Sequence, residues 1–262
     1  MSETFLEKIL KVTREKVAFQ RRENGPSELR KKAADFRENR EAYRLSKALS
    51  NRSKVNIIAE IKRASPSKGA INDTIDVAET ARMYESGGAC AISVLTEEQF
   101  FKGSLDDLKA ARAAVELPIL RKDFIVDDFQ IYEAAAAGSD AILLITAALS
   151  FENLKDFQSL ARDLGLDALV EIHTHAELEV AADVEANLIG INNRDLRSFN
   201  VSLDVSRELI KDRPPGALVI AESGLSMKEE ILELRSLGFD GFLIGETLMR
   251  AGNAVQTLEA LV

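Results

Sequence analysis

An apolar strand that ends in two opposite charges on its inner face asks for a chemical explanation. Residues 55–69, VNIIAEIKRASPSKG, have that form. Alternate residues of a strand share a face. Glu60 and Lys62 therefore lie with Ile58, a core position. A carboxylate and an ammonium held together there could transfer protons or bind an anion. They could also be a buried ion pair that sets register and adds little stability. The pattern recurs along the chain. PILRKD (118–123) puts Lys122 on the face of Leu120, and ALVEI (168–172) pairs Glu171 with Leu169. LIGINN (188–193) pairs Asn192 with Gly190 and is followed by Arg194, and LVIAES (218–223) sets Glu222 with Leu218 and Ile220. A lone charge at a strand end is ordinarily a solvated rim residue. Five strands that all finish an otherwise apolar face with a polar residue, at the same end, are hard to obtain from rim placement alone. They would converge on one patch.

A second signal follows the last two of these runs. Ser223-Gly224 in AESGLSMKEE and Gly245 in LIGETLM stand between a strand end and a helix start. Backbone N–H groups at such turns can cradle a phosphate, although strand–helix turns use glycine for geometry anyway. Phe100, Phe101 and Phe124 lie just past two of the strands, where they could be core or could hold an aromatic ring. His173 and His175 form an HxH without a Cys, Asp or Glu to complete a metal set, and Thr174 between them reads as a helix cap. Cys90, beside a strand, reads as a small core residue.

Elements must exist that bring these residues together. Eight short apolar runs begin near residues 55, 90, 118, 141, 168, 188, 218 and 241. The interval between them suits one strand plus one helix. The intervening segments carry helix signals. Ser104 stands three before Asp107, Thr174 three before Glu177 and Ser226 three before Glu229, the last two in capping-box spacing. Gly87, Gly138, Gly165 and Gly238 fit the left-handed residue that ends a helix. Eight such units predict a (β/α)8 TIM barrel, an α/β fold whose active site sits at the C-terminal ends of the strands. The rival is an open doubly wound sheet, and the first strand lacks a GxGxxG turn for it. Residues 1–50 precede the first strand. Phe5, Ile9 and Val12 repeat at helical spacing, as do Leu6, Leu10 and Val17, and SELRKKAADF and EAYRLSKALS read as two more helices. The expectation is one barrel domain over 1–262, of which 1–50 is an N-terminal helical extension packed on the barrel.

Composition narrows the partners. The chain has 262 residues, 46% apolar and 29% charged, with a formal net charge of −9. That charge argues against nucleic acid but leaves room for an anionic small molecule at a locally basic site. The single cysteine forbids an internal disulfide and fits a cytoplasmic setting. The charged start MSETFLEKILKVTREK is unlike a signal peptide, and no run approaches the roughly 18 apolar residues of a membrane helix.

The run EIKRASPSKG (60–69) resembles the signature of indole-3-glycerol phosphate synthases. FFKGS (100–104), LRKDFIVDDFQIYEAAAAG (120–138), ALVEIH (168–173), IGINNRDL (189–196), ESG (222–224) and FLIGETLM (242–249) match in order. The resemblance covers essentially the whole chain. One departure is Thr96-Glu97-Glu98, where the family pattern has Thr-Asp before the Phe pair. The resemblance implies ring closure, decarboxylation and dehydration of 1-(2-carboxyphenylamino)-1-deoxyribulose 5-phosphate in tryptophan biosynthesis, with no metal or organic cofactor. It implies Lys122 as the acid of ring closure, Glu171 as proton acceptor, and Lys62 in dehydration and anion binding. Glu60 and Asn192 would orient the lysines and the substrate hydroxyls, and Arg194 and Glu222 would complete the network. Ser65, Ser223, Gly224, Gly245 and Glu246 would line the phosphate, with Phe101 and Phe124 on the anthranilate ring. A monomer or homodimer is expected, with no nucleic-acid or membrane partner. Two other activities fit a phosphate-binding barrel: a Schiff-base aldolase using Lys62 or Lys122, and a sugar-phosphate isomerase, against which the lysine pair argues. A non-catalytic scaffold fits poorly with five inward polar residues.

Overall fold

The computed structural model describes residues 3–23, 25–66, 69–72 and 74–262. Eight parallel strands close into a barrel: β1 Ile57–Ile61, β2 Ala91–Leu95, β3 Ile119–Lys122, β4 Ala141–Ile145, β5 Asp167–Ile172, β6 Leu188–Asn192, β7 Leu218–Glu222 and β8 Gly241–Ile244. Each strand pairs with its sequence neighbours, and β1 closes the ring on β8. All eight sequence-predicted strands are present; seven are shorter by a residue or two at one or both ends, and the fifth starts one residue earlier than predicted, at Asp167. The loop after β1 folds back as a small antiparallel pair, Ala64–Ser65 with Gly69–Ala70; Ser67 and Lys68 of the signature lie outside the described residues.

Strand alternation splits the core in two. Outward residues such as Ile57, Ala59, Ile92, Ile119 and Ile142 pack under the surrounding helices. Inward residues Ile58, Ala91, Leu120, Leu143, Leu169, Leu188, Ile220 and Leu243 fill the barrel. Polar side chains take over in the last inward layer, so apolar packing below holds charged groups above.

The N-terminal extension spans the height of the barrel. α1 (Phe5–Glu23), α2 (Pro26–Arg37) and α3 (Arg44–Leu49) form the extension, and α4 (Val77–Ser86), α5 (Leu105–Ala114), α6 (Asp128–Ala137), α7 (Phe151–Asp163), α8 (His175–Asp183), α9 (Asp204–Leu209), α10 (Lys228–Leu237), α11 (Glu246–Arg250) and α12 (Ala254–Leu261) follow in the barrel. α1 reaches the mouth, α2 packs along α6, and α3 plugs the floor with the fully buried Leu45 and Leu49. The third helix is shorter than EAYRLSKALS predicts, because Tyr43 adopts a left-handed conformation (φ 56°) that stops the helix there. At the floor, the buried Asp140 gathers Arg37, Arg40, Arg44 and Arg112 at 3.6, 3.2, 3.0 and 2.9 Å. Spare guanidinium donors reach carbonyls of Leu164, Gly165 and Leu117. Burial, with Arg40 nearby, pulls Arg112 down to about 10.

Several local signals resolve differently from their sequence reading. Ser226 does not cap α10 (Lys228–Leu237); the Glu230 carboxylate accepts the N–H groups of Ser226 and Met227, one residue later than predicted. Thr174 does cap α8 (His175–Asp183) through Glu177 N–H, but the Glu177 carboxylate takes the His173 N–H. Gly87 is not left-handed (φ −77°), and Gly88 (φ 90°) makes that turn instead.

Candidate active site

Every site residue expected from the sequence lines one cavity of about 730 Å³ at the C-terminal ends of the strands. Lys122, the last residue of β3, is its centre. Its ammonium donates to Glu171 Oε2 at 2.8 Å and to Glu222 Oε2 at 2.6 Å. Glu60 and Lys62, at the end of β1, form a second pair at 2.5 Å. Asn192 presents its carbonyl oxygen to Arg194 N–H at 3.0 Å. The neighbour of Lys122, Arg121, faces outward and is fully buried, with Asp123 at 3.0 Å and Glu133 at 2.7 Å. That network fixes the end of β3 and hence the direction of Lys122.

The buried charges around Lys122 set the proton affinity of the lysine and of its two partners. Burial alone would lower the Lys122 ammonium, but Glu171, Glu222 and Glu60 outweigh it and hold the lysine protonated. Burial would raise Glu171, but the charges of Lys122 and His173 and hydrogen bonds from Lys122 and Asn192 hold it at about 2. Glu222 goes the other way. Burial pushes it up to about 7, helped by the like charges of Glu171 and Glu60 and opposed by Lys122. Its Oε1 has no hydrogen-bond partner. Two carboxylates on one lysine therefore differ in role: one stays ionised and the other titrates near neutrality.

Around this charged floor, Leu95, Leu143, Ile145 and Leu243 provide an apolar wall. Phe101 and Phe124 face each other with ring centroids 6.1 Å apart. The Glu97 carboxylate accepts N–H groups of Gln99, Phe100 and Phe101. The acid that departs from the family pattern is thus a loop cap that holds the phenylalanine pair. At the other side, Ser223 and Gly224 are consecutive left-handed residues (φ 67° and 81°). Asn193 pins this turn by donating to the carbonyls of Glu222 and Ser223 at 3.0 and 3.1 Å. Gly245 caps the short α11 (Glu246–Arg250). A side chain at Gly245 would first meet the Glu60 carboxylate, not open phosphate space.

Some contributors were missed in the sequence. Phe5, Leu6 and Ile9 of α1 line the cavity. Phe5 stands edge-on to Phe100 and to Phe199, each at 5.3 Å, so it bridges the loops after β2 and β6. The helical stripe of α1 was legible, but its position over the mouth was not. His173 has Nε2 3.5 Å from Glu171 and Nδ1 3.4 Å from Glu177. It continues the inward alternation after Glu171, a signal the period of two carried. Ser93, inward on β2 in register with Glu60, is buried with an unpartnered hydroxyl.

The sequence profile of indole-3-glycerol phosphate synthase matches residues 6–261. A protein of that name from Carboxydothermus hydrogenoformans is 48% identical over 98% of this chain and 99% of its own length. Another from Bordetella pertussis is 44% identical over 98% of each chain, and one from Aquifex aeolicus is 47% identical over 92% and 93%. Among solved structures, 3-hexulose-6-phosphate synthase from Salmonella typhimurium superposes with a TM-score of 0.63 at 12% identity, covering 79% of this chain and 96% of that one. At that identity the likeness speaks for the barrel alone.

Proposed function

This chain belongs to the indole-3-glycerol phosphate synthase family of carboxy-lyases in tryptophan biosynthesis, and we propose how its residues divide the chemistry. The observation that carries the assignment of roles is the clamped lysine, Lys122 between Glu171 and Glu222.

The substrate is an N-aryl aminodeoxyribulose phosphate with a carboxylate on the ring. The ring carbon that bears this carboxylate attacks the ketone, and Lys122 delivers the proton that the carbonyl oxygen takes up. Carbon dioxide then leaves that ring carbon and restores aromaticity. The new hydroxyl departs as water with a second acid proton, from Lys62, while a base removes a proton from the adjoining carbon–nitrogen side. A proton donor and acceptor in one low-dielectric layer suit both steps. Phe101 and Phe124 would hold the aromatic ring, and Asn192 the sugar hydroxyls. Arg194 and Lys62 would take the carboxylate. Ser65, Ser223-Gly224 and Gly245-Glu246 would hold the phosphate, where helix-start and turn N–H groups favour an anion.

The base has two readings. Glu171 is the acceptor expected from the family pattern. Its tight hold on a proton-rich lysine makes it a weak base in the resting site, whereas a group near 7 is matched to transfer at neutral pH. Glu222 meets that condition, so the Glu171/Glu222 pair is read as one unit sharing Lys122. A cytoplasmic location and a monomer or homodimer accompany this reading. It is supported by the lone buried cysteine; among the described residues no helix is long and apolar enough to cross a membrane.

Turnover of the anilino substrate, followed by the fluorescence of the indole product, tests the assignment directly. Loss of product formation in Lys122→Ala supports it. A covalent adduct trapped by borohydride with substrate would instead support a Schiff-base aldolase.

A further inference from the structure

Two inward glycines of the barrel have no backbone reason to be glycine. Neither Gly190 on β6 nor Gly245 at the end of β8 has a positive φ. Space is the constraint at both. A methyl group at Gly190 would run into Glu222 Oε1, with Glu222 Cδ at 3.1 Å and Leu169 Cδ1 at 3.2 Å. A methyl group at Gly245 would run into Glu60 Oε1, with Glu60 Cδ at 3.0 Å and Cβ at 3.1 Å. The two sites follow one geometry. Glu222 on β7 lays its carboxylate over the glycine of neighbouring β6, and Glu60 on β1 lays its carboxylate over the glycine of neighbouring β8. A third inward glycine, Gly241, faces the apolar plug residue Leu49 instead, so contact with a carboxylate is not the common fate of barrel glycines.

The depth of each carboxylate decides what it holds. Glu222 is 1% exposed and reaches Lys122 with Oε2 at 2.6 Å while Oε1 rests over Gly190. Glu60 Oε1, the atom over Gly245, is also the atom bound to Lys62. A methyl group at either glycine would force its carboxylate to shift, and the contact with the lysine would shift with it. We propose that Gly190 and Gly245 are positioning residues of the synthase reaction: by omitting a Cβ, they seat the Glu222 and Glu60 carboxylates against Lys122 and Lys62. This rests on the reading of those lysines as the acids of the reaction. It goes beyond it by making the length of each carboxylate and the absence of a neighbouring Cβ one coupled requirement.

The test is a double-mutant cycle. Gly190→Ala should lower kcat by about 10²-fold with KM within about threefold, the scale on which small misplacements of catalytic groups act. Glu222→Asp shortens the carboxylate by one methylene and withdraws it both from Lys122 and from the glycine, so it should lower kcat by itself. Adding Gly190→Ala to it should then cost little more, and the double variant should match Glu222→Asp alone. A glycine needed only for packing would add its full loss in both backgrounds. Gly190→Ala with wild-type kcat, or a double variant whose loss is the product of the two single losses, overturns the proposal. A crystal structure of Gly190→Ala needs no turnover and separates this idea from the synthase reading: the Glu222–Lys122 contact should be broken, and an unmoved Glu222 overturns the proposal. Should Gly190→Ala fail to fold, Gly245→Ala with and without Glu60→Asp asks the same question at the second lysine, with the same expected non-additivity.

Discussion

At the floor of the barrel one carboxylate, Asp140, meets four arginines; at the mouth three carboxylates, Glu60, Glu171 and Glu222, meet two lysines. Both are clusters of buried charge, yet they are built for different ends. The floor uses guanidinium groups, which keep their protons, and spreads its surplus positive charge over backbone carbonyls. Its geometry ties α2 and α3 to the start of β4. The mouth uses groups that can gain or lose a proton. It leaves Glu222 Oε1 without a partner and opens onto a cavity. The floor also holds one unpartnered atom, Arg40 Nη2, so an unmet valence alone is not the difference: a cluster of permanently charged groups fixes the chain, and a titratable group with an unmet valence beside a cavity can do chemistry.

The largest expected effect lies at the mouth. Lys122→Ala should lower kcat by about 10²–10⁴ while the fold persists, because cavity water and protonation of Glu222 can relieve the charges left behind. Steady-state kinetics with a thermal melt checks this, and more than half of wild-type kcat would remove Lys122 from its role.

The floor should show the converse. Asp140→Asn leaves four arginines without their carboxylate and should cost about 3–5 kcal/mol of stability, the range for breaking a buried ion pair. Denaturant unfolding measures it. Turnover per folded molecule should stay at the wild-type level, and a matching loss of kcat would erase the distinction between the two ends.

Within the mouth, Glu171→Gln should lower kcat by about 10²-fold or more with a small change in KM; a change in KM alone would make Glu171 a binding residue. The pH profile then separates its partner. Glu222 titrates near 7, ionised above and protonated below. Activity that needs the carboxylate should fall as pH drops through about 7. Glu222→Gln should abolish that limb, and an unchanged limb would assign it to another group.

The smallest effect concerns the phosphate. Ser223→Ala removes one hydrogen-bonding group and should raise KM by up to about tenfold, and inorganic phosphate should compete with substrate in the wild type. Absence of competition would move the phosphate away from the Ser223-Gly224 turn.

The period of two along a strand is a local property, so the sequence alone determined which residues face inward. Glu60, Lys122, Glu171, Asn192 and Glu222 are legible as one layer from the sequence alone. Eight strand runs separated by helical segments likewise pointed to a closed barrel over an open sheet, and the helical stripe of Phe5, Ile9 and Val12 required the extension to pack somewhere. What remained belonged to distances across the ring. Barrel closure and register, set by all eight strands together, decide that Lys122 falls between Glu171 and Glu222 and that Glu222 Oε1 is the carboxylate oxygen left without a partner. The same closure lays two glutamates over glycines of adjacent strands, brings Phe5 over the mouth, and turns Asp140, just before β4, into the meeting point of arginines from three separate helices and one loop. Side-chain direction follows from the backbone of each strand; proximity between residues a hundred positions apart exists only when the ring is shut.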